Sequence, residues 1–547
     1  MSNENSSVAW QILEMIETVQ DAAAQMLNAC LNNTPKLFES LSEDILLVFQ
    51  SFMPIIQDYS KAPTLFLACE SILDSLKRIG DLHHIDAIKC AHKIEFELIP
   101  LIQTFYMNYY LFVIAVNDEK LLALYLERDR FQLGANIYVD RAEETGEYKY
   151  ELSICVIGYN KLDYTKLCIE NLLKNIPKDL NYELLLINHG STDGTKEFFE
   201  SIAPDKQLDI FRNGGGLEAS FRIIEGKYVL SISNDVIVTE NAIANMLACI
   251  KQDSRIAYVV PTTANVSNNQ TITDDFTNMD DMFSFAAKNN QLDPLKWEQR
   301  SRLCDPLAML PANHHFSTTG MLSSTYKLSE DIFLFPDDKN AYMIRKRGLK
   351  MILAKDSYCF HFGSATLGHK SLDSDYYIDG RKAFHKEFGI DPWGKGFCYD
   401  HRLFQNIKFQ KKHDAKILGV SPGMGSNPLK AKTLLRELGS KNTKLFLASE
   451  DEQFQIDYES YTKIGNIEIT PVENFTSVFA EEQFDYIFVE TNIGYSEVNA
   501  FLKRLNPDGM LFVWCGDSKA EEMLQRQPPT KKIPSGLFEN GVWYLYT

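Results

Sequence analysis

The sequence predicts a multidomain α/β chain with an all-α start, and three observations carry that prediction. Residues 1 to about 145 repeat apolar side chains at helical spacing and almost lack glycine. From Tyr150 onward, short β-branched runs alternate with helical stretches, the pattern of a largely parallel sheet covered by helices. Near Lys416 that alternation begins a second time, and 547 residues suit roughly three domains.

In the first part, Trp10, Leu13, Ile16 and Val19 mark one apolar helical face. Ser40 with Glu43 three residues on reads as a capping box, so a helix start is expected there. Residues 101–116 are the most apolar stretch, but Gln103, Thr104 and Asn108 interrupt it. A membrane span needs about 20 largely apolar residues, so a buried helix is expected instead. Peripheral membrane contact and self-association through this helical domain stay open. Residues 141–149 are charged and read as a linker. An α/β domain over 150–375, a connecting segment over 376–412 and a Rossmann-like domain over 413–547 complete the expected order.

Composition narrows the function classes. A net charge of −19 argues against a general nucleic-acid binder, which carries a basic footprint. The same charge means that an anionic ligand needs a local cation or local dipoles. The ten cysteines show no CxxC pair, and Cys155, Cys168, Cys249 and Cys359 sit in apolar runs as small buried hydrophobes. The start MSNENSSVAW has neither the basic nor the apolar region of a secretory signal. A reducing, cytoplasmic setting is therefore expected, with the inner membrane face left open.

The chemistry concentrates where strands end. The runs 152–157, 182–187 and 228–232 read as strands, and a helix is expected over 163–173. They run into Gly158-Tyr159-Asn160, into Asn188-His189-Gly190-Ser191-Thr192-Asp193-Gly194-Thr195, and into Ser233-Asn234-Asp235. Ligands of open α/β sheets bind beyond the carboxyl ends of the strands. Asp235 is the one acidic group of the third end, suited to a cation that grips a diphosphate. On its own it reads equally well as a cap for the helix that follows near Thr239.

Together these three strand ends resemble the nucleotide-binding half of family 2 glycosyltransferases, which have the GT-A fold of nucleotide-diphospho-sugar transferases. The resemblance implies that Tyr159, Asn188 and Asp193 lie near the base and ribose of a nucleotide-sugar donor. Gly158, Asn160, Ser233 and Asn234 complete that donor site, with Gly215 in the loop 213–216 and Gly320 in the segment 318–322. It makes Asp235 a ligand of Mn²⁺ or Mg²⁺, and His361, in Cys359-Phe-His-Phe-Gly-Ser-Ala-Thr366, a second ligand or a diphosphate contact. Ser233-Asn234-Asp235 keeps only the last carboxylate of the family's acidic motif. Phe335-Pro-Asp337-Asp338, followed by Arg345-Lys-Arg347-Gly348, resembles the motif heading the acceptor-side helix. Asp337 or Asp338 is then the base that takes the acceptor hydroxyl's proton in an inverting transfer. Uridine diphosphate is the family's commonest leaving group, and the acceptor is a glycan or a protein.

The last part resembles class I methyltransferases at Gly419-Val-Ser-Pro-Gly423-Met-Gly425, at 484–489 and at 505–512. Glu450 and Asp451 are candidates for the ribose contact, and S-adenosylmethionine is the cofactor implied. No catalytic set accompanies these motifs, so a retained fold without methyl transfer is favoured. A sugar or glycan methyltransferase and an inactive assembly scaffold are the competing readings.

Overall fold

The computed structural model describes residues 3–57, 63–85, 87, 90–91, 94, 98–114, 148–209, 220, 223–253, 255–266, 268–272, 276–304, 306–312, 336–345, 348–363, 375–394, 396–516, 526–536 and 541–547. By their contacts these residues form two compact units, one of N-terminal helices and one holding two sheets.

The helical unit contains α1 (Asn3–Leu31), α2 (Pro35–Gln57), α3 (Pro63–His83) and α4 (Ile99–Tyr109), the last continued by a wider turn over Tyr110–Ile114. Leu13, Ile16 and Val19 line its core with Phe49, Ile72 and Phe105, as the helical spacing requires. Trp10 does not follow them; it stays 41% exposed with its ring edge toward Tyr110. Ser40 starts no helix: α2 already runs from Pro35, a residue favoured in a first turn because it needs no backbone donor. Among the described residues, no helix is long and apolar enough to cross a membrane.

The first sheet comprises β1 (Tyr150–Gly158), β2 (Tyr182–Asn188), β3 (Lys206–Asp209), β4 (Gly226–Ser233), β5 (Val236–Ile237), β6 (Ile256–Thr263), β7 (Trp297–Arg300), β8 (Leu307–Pro311) and β9 (Lys350–His361). Its order is β3-β2-β1-β4-β8-β6-β9-β5, with β7 on β9. β3, β2, β1 and β4 are mutually parallel, whereas β8 enters antiparallel between β4 and β6. The helices α5 (Leu162–Asn175), α6 (Thr195–Ile202) and α7 (Ala242–Ile250) bury Cys168, Phe199 and Met246 in one core with the strands. All ten cysteines are free thiols. Burial pushes the Cys155, Cys168 and Cys359 thiols up to about 12, as expected of small hydrophobes in strands and helices. A further helix, α8 (Pro336–Arg345), precedes β9.

The second sheet comprises β10 (Asp414–Val420), β11 (Asn442–Ser449), β12 (Ile467–Ile469), β13 (Phe484–Val489), β14 (Leu505–Cys515), β15 (Lys531–Pro534) and β16 (Val542–Tyr546). Its order is β12-β11-β10-β13-β14-β16-β15. The first five strands are parallel in the 3-2-1-4-5 order of a doubly wound sheet, and β16 runs antiparallel to both neighbours. The glycine-bearing loop after β10 therefore sits where the strand order reverses, and leads into α9 (Ser426–Glu437).

Buried charge joins the two sheets. Glu298 on β7 is 1% exposed and faces Arg300 Nε at 2.7 Å, Lys430 Nζ of α9 at 2.8 Å and Lys355 Nζ of β9 at 3.3 Å. Burial alone raises a carboxyl's pKa, but these three cations outweigh it and hold Glu298 at about 2. At the end of α8, the Arg345 guanidinium grips Asp457 Oδ1 at 2.6 and 2.8 Å and donates to the Ser301 carbonyl at 2.7 Å. Because the folded value of Glu298 lies below its unfolded one, its stabilisation is full above about pH 4.3 and is lost as pH falls toward 2. The shift corresponds to about 3 kcal/mol. Glu298→Gln is therefore expected to lower the melting temperature at pH 7, by a gap that narrows on acidification below pH 4; an equal melting temperature at pH 7 refutes this.

Candidate functional site

Parallel register brings three strand ends to one level. Gly158 lies opposite Asn188, and Ile157 lies opposite both Ile187 and Ser233. A hydrogen-bonded lattice joins the loops beyond them. The Asn160 backbone N–H donates to Ser191 Oγ at 2.9 Å, and Thr192 N–H donates to Asn160 Oδ1 at 2.9 Å. Asn234, buried, donates its side-chain amide to the Asn160 carbonyl at 2.8 Å and to Thr165 Oγ1 at 2.7 Å, while its backbone N–H reaches the Ile157 carbonyl at 3.0 Å. Asn160 and Lys161 both take the left-handed conformation, a conformation asparagine tolerates better than most residues.

The donor-side residues divide by what they touch. Gly158 is where α6 closes on the sheet: a β-carbon there would lie 2.8 Å from the Phe199 ring. Asn188 donates to Asp209 Oδ1 at 2.9 Å and accepts from Ser191 N–H at 2.9 Å. Asp193 spends both oxygens on its own loops, accepting from Leu162 N–H at the start of α5 and from the Thr195 hydroxyl at 2.6 Å. Partial burial pushes its carboxyl up, but those hydrogen bonds prevail and hold it below its ordinary value. Tyr159 and Ser233 are half-buried at the rim. Gly215 and Gly320, with their flanking segments, lie outside the described residues.

Asp235 does not cap the next helix. That helix, α7, is preceded by Asn241 in the left-handed conformation, and no side chain caps it. The two-residue strand β5 instead pairs antiparallel with the end of β9, Val236 opposite His361. The Asp235 carbonyl accepts from Phe362 N–H at 3.1 Å, and Asp235 Oδ2 lies 3.4 Å from His361 Nε2. Asn265, left-handed itself, fastens this corner by donating to the His361 carbonyl at 2.9 Å. His361 Nδ1 is buried without a hydrogen bond. A carboxylate and an imidazole side by side suit a divalent cation. Two ligand atoms each about 2.1 Å from a metal at right angles stand about 3 Å apart, close to the spacing here.

Asp337 and Asp338 occupy the first turn of α8, where the helix dipole favours acidic groups. Their surroundings differ sharply. Asp338 is 3% exposed and forms a two-point ion pair with Arg302, Oδ1 to Nε and Oδ2 to Nη2. Burial pushes its carboxyl up to about 6 against the lowering pull of Arg302. Asp337 is only half-buried. Arg302 and Asn265 were not among the residues the sequence pointed to. They lie in loops between strands, and nothing local marks a partner 36 or 96 residues away.

The glycine loop of the second sheet has a different fate. A β-carbon on Gly396 would lie 2.8 Å from Gly423 Cα and 2.9 Å from the Pro422 carbonyl, so Gly396 packs directly on the loop. Ser426 Oγ donates to the Gly396 carbonyl at 2.8 Å and touches Ser301 Oγ, and the Tyr458 hydroxyl donates to the Gly423 carbonyl at 2.6 Å. Asp451 caps the short turn beginning at Glu452 by accepting from Gln453 N–H.

Residues 153–304 match the family model described as Glycosyl transferase family 2, so this segment of the chain is similar to that family. The matched segment includes Asp235 and stops short of Asp337, Asp338 and His361. No curated protein matches the chain in sequence. Among solved structures, one similar chain is "GalNAc-T7 with UDP, GalNAc and Mn2+", 12% identical with a TM-score of 0.29. The likeness covers 42% of this chain and 47% of that one, about half its length. Another is the mannosyltransferase PcManGT from Pyrobaculum calidifontis in complex with GDP-Man and Mn2+, 15% identical, TM-score 0.30, covering 57% and 76% of the two chains. Scores this low do not superpose the chains as wholes.

The lattice through Asn234 makes its own test. Asn234→Ala leaves the Asn160 carbonyl and Thr165 hydroxyl without their donor, a loss of about 1–3 kcal/mol. The expected outcome is a lowered melting temperature together with weaker nucleotide binding, measured by calorimetry; unchanged values for both would show that the lattice does not order this edge.

Proposed function

We propose that the chain moves a sugar from a nucleoside-diphosphate donor, a UDP-sugar in the first instance, to a glycan or protein acceptor with inversion. The observation that carries this reading is the Asp235–His361 pair, 3.4 Å apart, beside three in-register strand ends within a glycosyltransferase segment. Asp235 and His361 would hold Mn²⁺ or Mg²⁺. One carboxylate and one imidazole leave the remaining positions to diphosphate oxygens and water, the usual arrangement for a cation shared with a phosphate substrate. When bound, that cation supplies Lewis-acid stabilisation of the diphosphate as it departs. It also answers the charge problem of a chain at −19.

The remaining work falls to the chain's own groups. Tyr159, Asn160, Asn188, Asp193, Ser233 and Asn234 line or order the edge that would receive the nucleoside, with Gly158 allowing α6 to close behind it. Gly215 and Gly320 are assigned to the same donor site on the resemblance alone. At the acceptor side, Asp337 takes the proton from the attacking hydroxyl. Its carboxylate is half-buried in the first turn of α8, whereas both oxygens of Asp338 are held by Arg302. Asp338 then positions α8. Methyl transfer has less support, because the chain's own Gly396 packs on the glycine loop where S-adenosylmethionine would approach.

Two outcomes are expected. Asp235→Ala abolishes Mn²⁺-dependent donor binding while the protein stays folded, read by thermal shift with UDP-sugars with and without Mn²⁺; unaltered affinity and turnover would sink the assignment. Asp337→Asn lowers transfer by about 10²–10⁴-fold with donor binding retained. Asp338→Asn leaves Arg302 buried and unpaired, and so lowers the melting temperature as well as activity. If Asp337→Asn turns over normally and Asp338→Asn is inactive at an unchanged melting temperature, the roles are exchanged.

A further inference from the structure

The helical unit holds a group of side chains that the transfer reaction does not use. Cys30 lies in the last turn of α1, His83 is the last residue of α3, and Cys90 follows seven residues later. One ligand atom from each, two sulfurs and one ring nitrogen, all fall within 4.8 Å of one another. Among the described residues this is the one such triad of histidine, cysteine or carboxylate groups.

Its surroundings are those of a built site. Cys30 and Cys90 are 2% and 0% exposed, and each thiol reaches a backbone carbonyl, Ala87 at 3.2 Å and Ile79 at 3.6 Å. The His83 ring stacks on Phe38, with centroids 3.7 Å apart and planes within 10°, which fixes its orientation. Its Nδ1 is buried and makes no hydrogen bond. A buried imidazole nitrogen with no partner beside two thiols is costly as it stands, because the group has lost water and gained nothing.

We infer that Cys30, His83 and Cys90 form a zinc site that clamps the ends of α1 and α3 to the segment carrying Cys90. Tetrahedral zinc, with bonds of about 2.3 Å to sulfur and about 2.0 Å to nitrogen, separates its ligand atoms by about 3.5–3.8 Å. The triad, with its ligand atoms within 4.8 Å of one another, therefore needs to close by no more than about 1.3 Å. Two thiolates and an imidazole select a soft or borderline cation, and discriminate against the Mg²⁺ or Mn²⁺ suited to Asp235 and His361. Each thiol gives up its proton to solvent on binding, and the fourth position goes to water. Because the ligands come from separate helices, binding energy becomes folding energy for this unit.

The test uses the full-length chain, reduced, stripped with a chelator and then titrated with Zn²⁺ or Co²⁺. The expected result is one tightly held zinc per chain, retained in Asp235→Ala and lost in Cys30→Ser and in Cys90→Ser. Co²⁺ should give the intense thiolate-to-metal absorption of a sulfur-ligated tetrahedral ion. Zinc should also protect Cys30 and Cys90 of the unmutated chain from alkylation, a readout independent of whether the variants fold. Absence of thiolate–cobalt absorption, or alkylation of both cysteines at the same rate with and without zinc, would overturn the inference. Loss of zinc in Asp235→Ala with retention in the cysteine variants would overturn it too, and would assign the ion to the donor site.

Discussion

The parallel pairing of β1 with β2 on one side and β4 on the other is the constraint on which the site depends. Register in a buried sheet is strongly specified, because a one-residue slip turns every buried side chain to the wrong face. Leu152, Ile154 and Val156 on β1 are packed out of solvent with Leu184 and Leu186 on β2 and Leu230 and Ile232 on β4. Once those side chains settle, Gly158, Asn188 and Ser233 must end at nearly the same height. The polar loops then bond with one another, and Asn234 joins the first and third strand ends.

The site's second half hangs on the far end of the same sheet. β9 is long enough to pass β6 and still offer its last residues to β5, which turns Asp235 toward His361. Two buried ion pairs hold α8, Arg302 with Asp338 at its start and Arg345 with Asp457 at its end. Breaking a buried pair by removing one partner is strongly destabilising, so the helix bearing the candidate base is held against the second sheet as well as the first.

That coupling changes the meaning of the C-terminal sheet. Its strand order is that of a doubly wound sheet, yet the glycine loop packs on Gly396 and Ser426 bonds back to the connecting segment. Glu298 among Arg300, Lys355 and Lys430 ties the second sheet's α9 to β7 and β9 of the first. A glycine-rich turn serves close backbone packing as readily as it serves a phosphate.

What was legible in the sequence was whatever is encoded locally. The strands at 152–157, 182–187, 228–232 and in the C-terminal part, the helical start, and the polar strand ends with Asp235 among them follow from periodicity, chain texture and short motifs. Local signals also misled: Ser40 and Glu43 have capping-box spacing, but Pro35 had already begun the helix. Only the tertiary structure decided between Asp235 as a cap and Asp235 as the neighbour of His361, and separated Asp338, locked to Arg302, from Asp337. It alone brought Cys30, His83 and Cys90 together across 60 residues of chain. The physical reason is the same in each case. Propensity and pattern act over a few residues, whereas an ion pair or a ligand set depends on which distant segment the core packs alongside.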